Sequence, residues 1–163
     1  MTAGHATHRY TAQLTWAGST AEGYDHYSRA HDATAAHEAE RRPPSLPLSS
    51  DPAFGGDPAK LNPEQLLVLA ASSCQMLSFL AVAARARIDV VSYADDAEGV
   101  MPEDDRPMRI TRIVLRPQVT IKGDAPDDDR LQHLVETAHR HCFIANSLAT
   151  EIAIEPAFRR LPG

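Results

Sequence analysis

Two cysteines, Cys74 and Cys142, are the residues in this chain best suited to chemistry. Cys74 is flanked by Ser72, Ser73 and Gln75, polar company for a core position. Cys142 follows His139 and His141 at what reads as a helix end, which points it towards a surface or a cleft. A thiol attacks only as its thiolate, and a nearby guanidinium is one way to hold it in that form. If the two sulfurs meet, a sulfenic acid on Cys74 can be resolved by Cys142. The plainer alternative is that both are buried small hydrophobes, since free cysteine is among the most buried residue types.

Other chemistries find less support. His139, His141 and Cys142 could supply metal ligands, but there is no CxxC or HxxxH pair, and His139 with Cys142 alone falls short of a structural site. No metal or cofactor is expected. The stretch PAFGGDPAK matches neither a phosphate-binding loop nor a dinucleotide fingerprint, and no G-x-S-x-G elbow is present. Asp95, Asp96 and Glu98 read as a solvated strand end rather than a catalytic pair. A net charge of -6 without a Lys/Arg cluster argues against nucleic acid as a partner. The first twelve residues have no apolar run of the signal-peptide kind, so a cytoplasmic location is expected.

The element that must position Cys74 is the stretch Asn62–Ile88. Asn62 suits an N-cap, Pro63 the first helical position, and Gln65 a capping box. Arg85 and Arg87 suit the carbonyl end. From Gln65 to Ala84 no residue is charged. At about 100° per residue, Leu67, Ala70, Ala71, Leu77, Ser78 and Ala81 share the face of Cys74, while Val68, Leu69, Met76, Phe79 and Ala83 lie opposite. A helix apolar all round either spans a membrane or forms a buried axis. Five interrupting polar side chains and the strand-rich remainder favour the buried axis. Such a helix needs more cover than one small sheet and one short helix supply, which favours a homodimer.

Around it, Tyr10–Trp16 alternates as a half-buried strand, Ala17–Gly23 turns, and Tyr24–Thr34 returns, which places Arg29 in a strand. Ala35–Lys60, with five prolines and Gly55-Gly56, reads as an ordered loop carrying a short strand near Leu46–Ser50. Ile88–Met101 and Arg109–Lys122 pair as a second hairpin, with Pro117 at an edge or bulge. Leu131, Leu134, Val135 and Ala138 have helical spacing. A turn or short helix over Phe143–Ala149 and a strand over Glu151–Pro156 close the chain. The expectation is one α+β domain over residues 1–163, with residues 1–8 a loose arm. It has two small antiparallel sheets and a long central buried helix.

The motifs now combine. N-P-E-Q-L-L from Asn62, leading to Cys74, and H-C-F-I-A-N-S from His141 to Ser147 together resemble the OsmC/Ohr family. S-S-D-P-A-F-G-G-D (Ser49–Asp57) resembles an OsmC-like branch of it. The resemblance implies an intertwined homodimer and a cysteine-based peroxidase that reduces organic hydroperoxides. In it Cys74 is peroxidatic and Cys142 resolving, and Glu64 pairs with an active-site arginine. Arg29, within Y-S-R-A-H, is the first choice for that arginine, with Arg41 and Arg42 behind it. The implied reductant is a dithiol of the dihydrolipoyl kind. The alternative is a non-enzymatic stress or ligand-binding protein with structural cysteines.

One geometric condition follows. Ten residues separate Glu64 from Cys74, which in a straight helix is about 15 Å of rise and roughly 80° of rotation. Either the helix breaks near Ala70–Ser73, an arginine spans part of the gap, or Glu64 serves a partner's Cys74.

Overall fold

The computed structural model describes residues 7–21, 23–37, 45–124 and 126–162. Arg41, Arg42 and most of the expected N-terminal arm lie outside the described residues. The chain divides into two compact units, residues 1–63 and 64–163.

In the first unit, β1 (Tyr10–Thr15), β2 (His31–His37) and β3 (Leu46–Leu48) form an antiparallel sheet in that order. Leu14 stands opposite Ala33, and Tyr10 opposite His37. The return strand starts at His31, not at Tyr24, so Arg29 precedes β2 instead of lying in a strand. The cause is local: the Arg29 guanidinium bonds back to the carbonyls of Tyr24 and Tyr27, and Trp16 Nε1 donates to Ser28 O at 2.7 Å. These bonds hold Tyr24–Arg29 as a turn.

The loop after β3 is ordered by its own backbone. Asp51 caps a 3₁₀ turn at Pro52–Phe54, accepting from Ala53 N at 2.8 Å. The amides of Phe54 and Gly56 both donate to Asp51 O. Buried Ser49 accepts from Asp57 N through its hydroxyl at 3.0 Å.

The second unit carries α1 (Pro63–Arg85) without interruption, so no break occurs at Ala70–Ser73. Its start follows the expected Asn62–Pro63 pair. Its end is a Schellman motif: Arg87 takes the left-handed conformation (φ 59°), Arg87 N donates to Ala84 O, and Ile88 N donates to Ala83 O. The helix is not a buried axis in this chain. Only Ala71, Gln75, Phe79 and Ala83 are fully buried. Leu69 and Leu77 are 59% and 61% exposed. Strands and the chain's later helix cover one stripe, while apolar positions such as Leu69 and Leu77 stay open. Among the described residues α1 is the one helix long and apolar enough to cross a membrane.

The second expected hairpin forms but divides. β4 (Asp89–Asp95) pairs with β7 (Pro117–Lys122), and β5 (Glu98–Val100) with β6 (Arg112–Leu115), both antiparallel. After α2 (Asp128–Arg140), β8 (Glu151–Ile154) adds parallel to β6 and β9 (Ala157–Leu161) parallel to β7. The described chain is therefore α+β with three three-stranded sheets, one antiparallel and two mixed, where two antiparallel sheets were expected. The split has a physical cause at Arg116-Pro117. Pro117 has no N–H for the ladder, and the amide of Arg116 goes instead to Asp95 Oδ1 at 2.6 Å. Pro117 opens β7, the central strand of its sheet, and so takes a strand-start position instead of an edge.

Two clusters form the core of this unit. Phe79 and Ala83 of α1 meet Val119 and Ile121 of β7 and Leu131, Val135 and Ala138 of α2. Ala71 meets Ile110, Ile113 and Leu115. The second helix is amphipathic, opened by Asp127, whose carboxylate accepts from Arg130 N at 2.9 Å. Asp128 and Asp129 in its first turn suit the helix dipole.

Candidate active site

Both cysteines fall in the second unit, and the fold brings them together. Cys74 is on the middle of α1 and partly exposed; Cys142 follows α2 and is 1% exposed. Of the two expected settings, a surface or a cleft, burial rules out the exposed surface for Cys142. The chain turns inward after Arg140, with Cys142 N bonded to His139 O and Asn146 N to Cys142 O. Both thiols are free. The amide of Ile144, two residues after Cys142, donates to Cys74 Sγ at 3.5 Å, which sets the two thiols in one neighbourhood. Burial pushes Cys142 up to about 11. The amides of Ala145 and Ile144 pull it down, and the neighbouring Cys74 adds to the rise. One thiol is thus reachable and its neighbour is enclosed and protonated.

Sequence reasoning gave no site role to three further residues of this unit, Gln75, Tyr93 and Asp95. Gln75 is fully buried, donates Nε2 to Val135 O at 3.3 Å, and leaves Oε1 without a partner. Tyr93 of β4 packs on Phe79 with centroids 6.0 Å apart, and its buried hydroxyl has no partner. Burial, then the Asp95 carboxylate and the neighbouring Cys142, hold that phenol well above its ordinary range. Asp95 is not a solvated strand end: it accepts from Ser72 Oγ at 2.5 Å and from Arg116 N. It ties α1, two residues before Cys74, to the point where the long hairpin divides. The available signal was the polar run Ser72–Gln75, which needs polar partners wherever it is buried.

Glu64 sits in the first turn of α1, half-buried. Because α1 is unbroken, it and Cys74 are separated along one rod.

Arg29 belongs to the first unit, and its surroundings are built. Nη1 donates to Tyr27 O at 2.8 Å and Nη2 to Tyr24 O at 2.6 Å. The guanidinium carbon lies 4.6 Å from the Tyr24 ring centroid and 4.2 Å from that of Tyr27. Such cation–π contacts hold an arginine without a counterion. Gly55 (φ 75°) passes so close that a Cβ there would stand 2.9 Å from Arg29 Cζ. No group of His, Cys, Asp and Glu suited to a metal occurs among the described residues.

Comparison with known proteins agrees with these motifs. A model of the OsmC-like protein family matches residues 55–157. An OsmC-like protein of unknown function from Vibrio cholerae is 34% identical. The match covers 94% of this chain and all of that one, with a TM-score of 0.78. The organic hydroperoxide resistance protein OsmC from Legionella pneumophila shares the fold at 15% identity (TM-score 0.63, 95% and 99% of the chains). The uncharacterized protein YmaD of Bacillus subtilis is 26% identical over 96 residues, 58% of this chain, and the chain spans 64% of that relative's length. The chain belongs to the OsmC-like family.

Proposed function

We propose that this protein is a thiol peroxidase that reduces organic hydroperoxides in defence against oxidative stress. The observation that carries the reading is the asymmetric cysteine pair: a partly exposed Cys74, bonded to the loop that follows Cys142, and a buried, protonated Cys142. The Cys74 thiolate attacks the hydroperoxide O–O bond, which breaks; the departing alkoxide takes up the proton that the thiol released on ionising and leaves as the alcohol, and Cys74 carries a sulfenic acid. Cys142 then loses its proton and attacks that sulfur, water leaves, and the two residues are joined as a disulfide. A dithiol of the dihydrolipoyl kind reduces the disulfide by exchange, becoming oxidised itself. Family relatives named for organic hydroperoxide resistance support the substrate class.

In this reading Arg29 supplies the cation that supports the thiolate, and Glu64 orients it. The exposed apolar face of α1 supports assembly as a homodimer. With α1 unbroken, a pairing of Glu64 with the partner subunit's chemistry is favoured over one along its own helix. A cytoplasmic setting belongs to the same proposal, because a cycling disulfide needs a reducing supply of dithiol.

The test is turnover of cumene hydroperoxide with dihydrolipoamide. Activity in the wild type and its loss in Cys74→Ser are expected. Equal turnover in Cys74→Ser would leave the reading without its nucleophile.

A further inference from the structure

The first unit contains a cavity of about 650 Å³. Leu14, Trp16, Tyr27 and Pro63 give it apolar walls, Arg29 and His31 line it too, and the rest of its lining is serine and threonine. No aspartate or glutamate is among the described lining residues, so in a chain of net charge -6 this cavity is locally positive.

Arg29 is held ready for an anion. Of its five N–H donors, one on each Nη is used on a backbone carbonyl. Its carbon stacks over two tyrosine rings, and it makes no ion pair among the described residues. A guanidinium fixed in this way loses little freedom on meeting a carboxylate, and the planar fork suits that geometry. His31 reinforces the site: its Nδ1 is 2.9 Å from the Arg29 carbonyl, which assigns the proton to Nδ1 and turns Nε2 away from that bond.

We propose that this cavity binds a small carboxylate with an apolar body, the carboxylate on Arg29 and the body against Leu14, Trp16 and Pro63. The inference stands apart from the cysteine chemistry, since it rests on the first unit alone. If both hold, such a carboxylate competes for the cation that the peroxidase reading assigns to the thiolate.

Trp16 is the single tryptophan of the chain and lines the cavity, so its fluorescence reports binding directly. The full-length protein is titrated without peroxide or reductant against octanoate, 1-octanol and acetate. Octanoate is expected to saturate the signal at least about tenfold more tightly than either control, since charge-assisted bonds are roughly twice as strong as neutral ones. Arg29→Gln should bring octanoate down to the octanol level. Arg29→Lys, which keeps the charge, should retain a preference for octanoate, and circular dichroism checks that both variants fold. Octanol binding as tightly as octanoate, no saturable signal, or full octanoate affinity in folded Arg29→Gln would each overturn the proposal. Because no peroxide is present, none of these outcomes depends on whether the protein is a peroxidase.

Discussion

The amide of Ile144 donates to Cys74 Sγ at 3.5 Å, joining the middle of α1 to the loop that follows Cys142. That amide lies two residues after Cys142, so one short loop holds both thiols. Their inequality leads to the first prediction. At pH 8 a thiol with a pKa near 11 is thiolate in about one molecule in a thousand, and Cys142 is also buried. Iodoacetamide should label Cys74 at least about tenfold faster than Cys142. Peptide mass spectrometry of briefly treated native protein checks this, and equal labelling would contradict the asymmetry.

The raised Cys142 pKa also sets a stability profile. The folded state holds its proton up to about 11, while the unfolded thiol releases it near 9. Above pH 9 the unfolded state therefore binds fewer protons, and folding stability falls as pH rises, levelling off past about 11. The slope approaches about 1.4 kcal/mol per pH unit for one group, on the order of 2–3 kcal/mol in all. Urea melts of wild type and Cys142→Ala across pH 8–11 isolate this contribution, because other alkaline titrations are common to both. The variant should show the shallower decline.

Asp95 connects Ser72 of α1 to the amide of Arg116. Removing it strands a backbone donor at the point where the hairpin divides. Asp95→Ala should cost about 2 kcal/mol in urea unfolding, and Asp95→Asn, which keeps one acceptor, less. A neutral Asp95→Ala would mean that the division of the sheets is fixed elsewhere.

The two loop glycines should differ sharply. A Cβ on Gly56 would fall 1.6 Å from the carbonyl oxygen of Ser50, whereas at Gly55 it would meet only side-chain atoms of Arg29, which can shift at the cost of their bonds. Gly55→Ala should cost about 1 kcal/mol for its positive φ and displace Arg29. Gly56→Ala forces backbone apart and should cost several-fold more, on the order of 3 kcal/mol or above. Thermal unfolding of both variants decides the order.

Arg87 terminates α1 in a left-handed conformation that disfavours side chains. Arg87→Gly should stabilise the protein by about 0.5–1 kcal/mol, the usual gain for glycine at this cap position. A loss of stability would show that the Arg87 side chain contributes more than its backbone strain costs.

Much of the fold was legible because its signals are local. Asn62-Pro63 marks the start of α1, the i, i+3, i+4 pattern after Asp127 marks α2, and the alternation of Tyr10–Thr15 marks β1, although all six of its residues are exposed where a half-buried strand was expected. What failed was set by side-chain bonds to the backbone, some local and some distant, that alternation does not reveal. Y-S-R-A-H alternates like a strand, but Arg29 reaches back to Tyr24 and Tyr27 and holds the chain in a turn. Arg109–Lys122 reads as one strand, but Asp95 captures the Arg116 amide and divides it. β9 went unseen because A-F-R-R-L offers no clean alternation and lies close after Pro156. In the candidate site, the cysteines could be named from their motifs, but their inequality could not. Cys142 sits beside two histidines in sequence, yet the turn after α2 points it inward, and Tyr93 enters the site only because β4 crosses beneath Phe79.

The central claim is that Cys74 and Cys142 act as a redox pair. Mass spectrometry of the protein after one equivalent of cumene hydroperoxide, with alkylation of remaining thiols, tests it most directly. The account predicts an intramolecular Cys74–Cys142 disulfide in the wild type, and a trappable sulfenic acid on Cys74 in Cys142→Ser. Both thiols recovered free and alkylated, with the peroxide unconsumed, would contradict it.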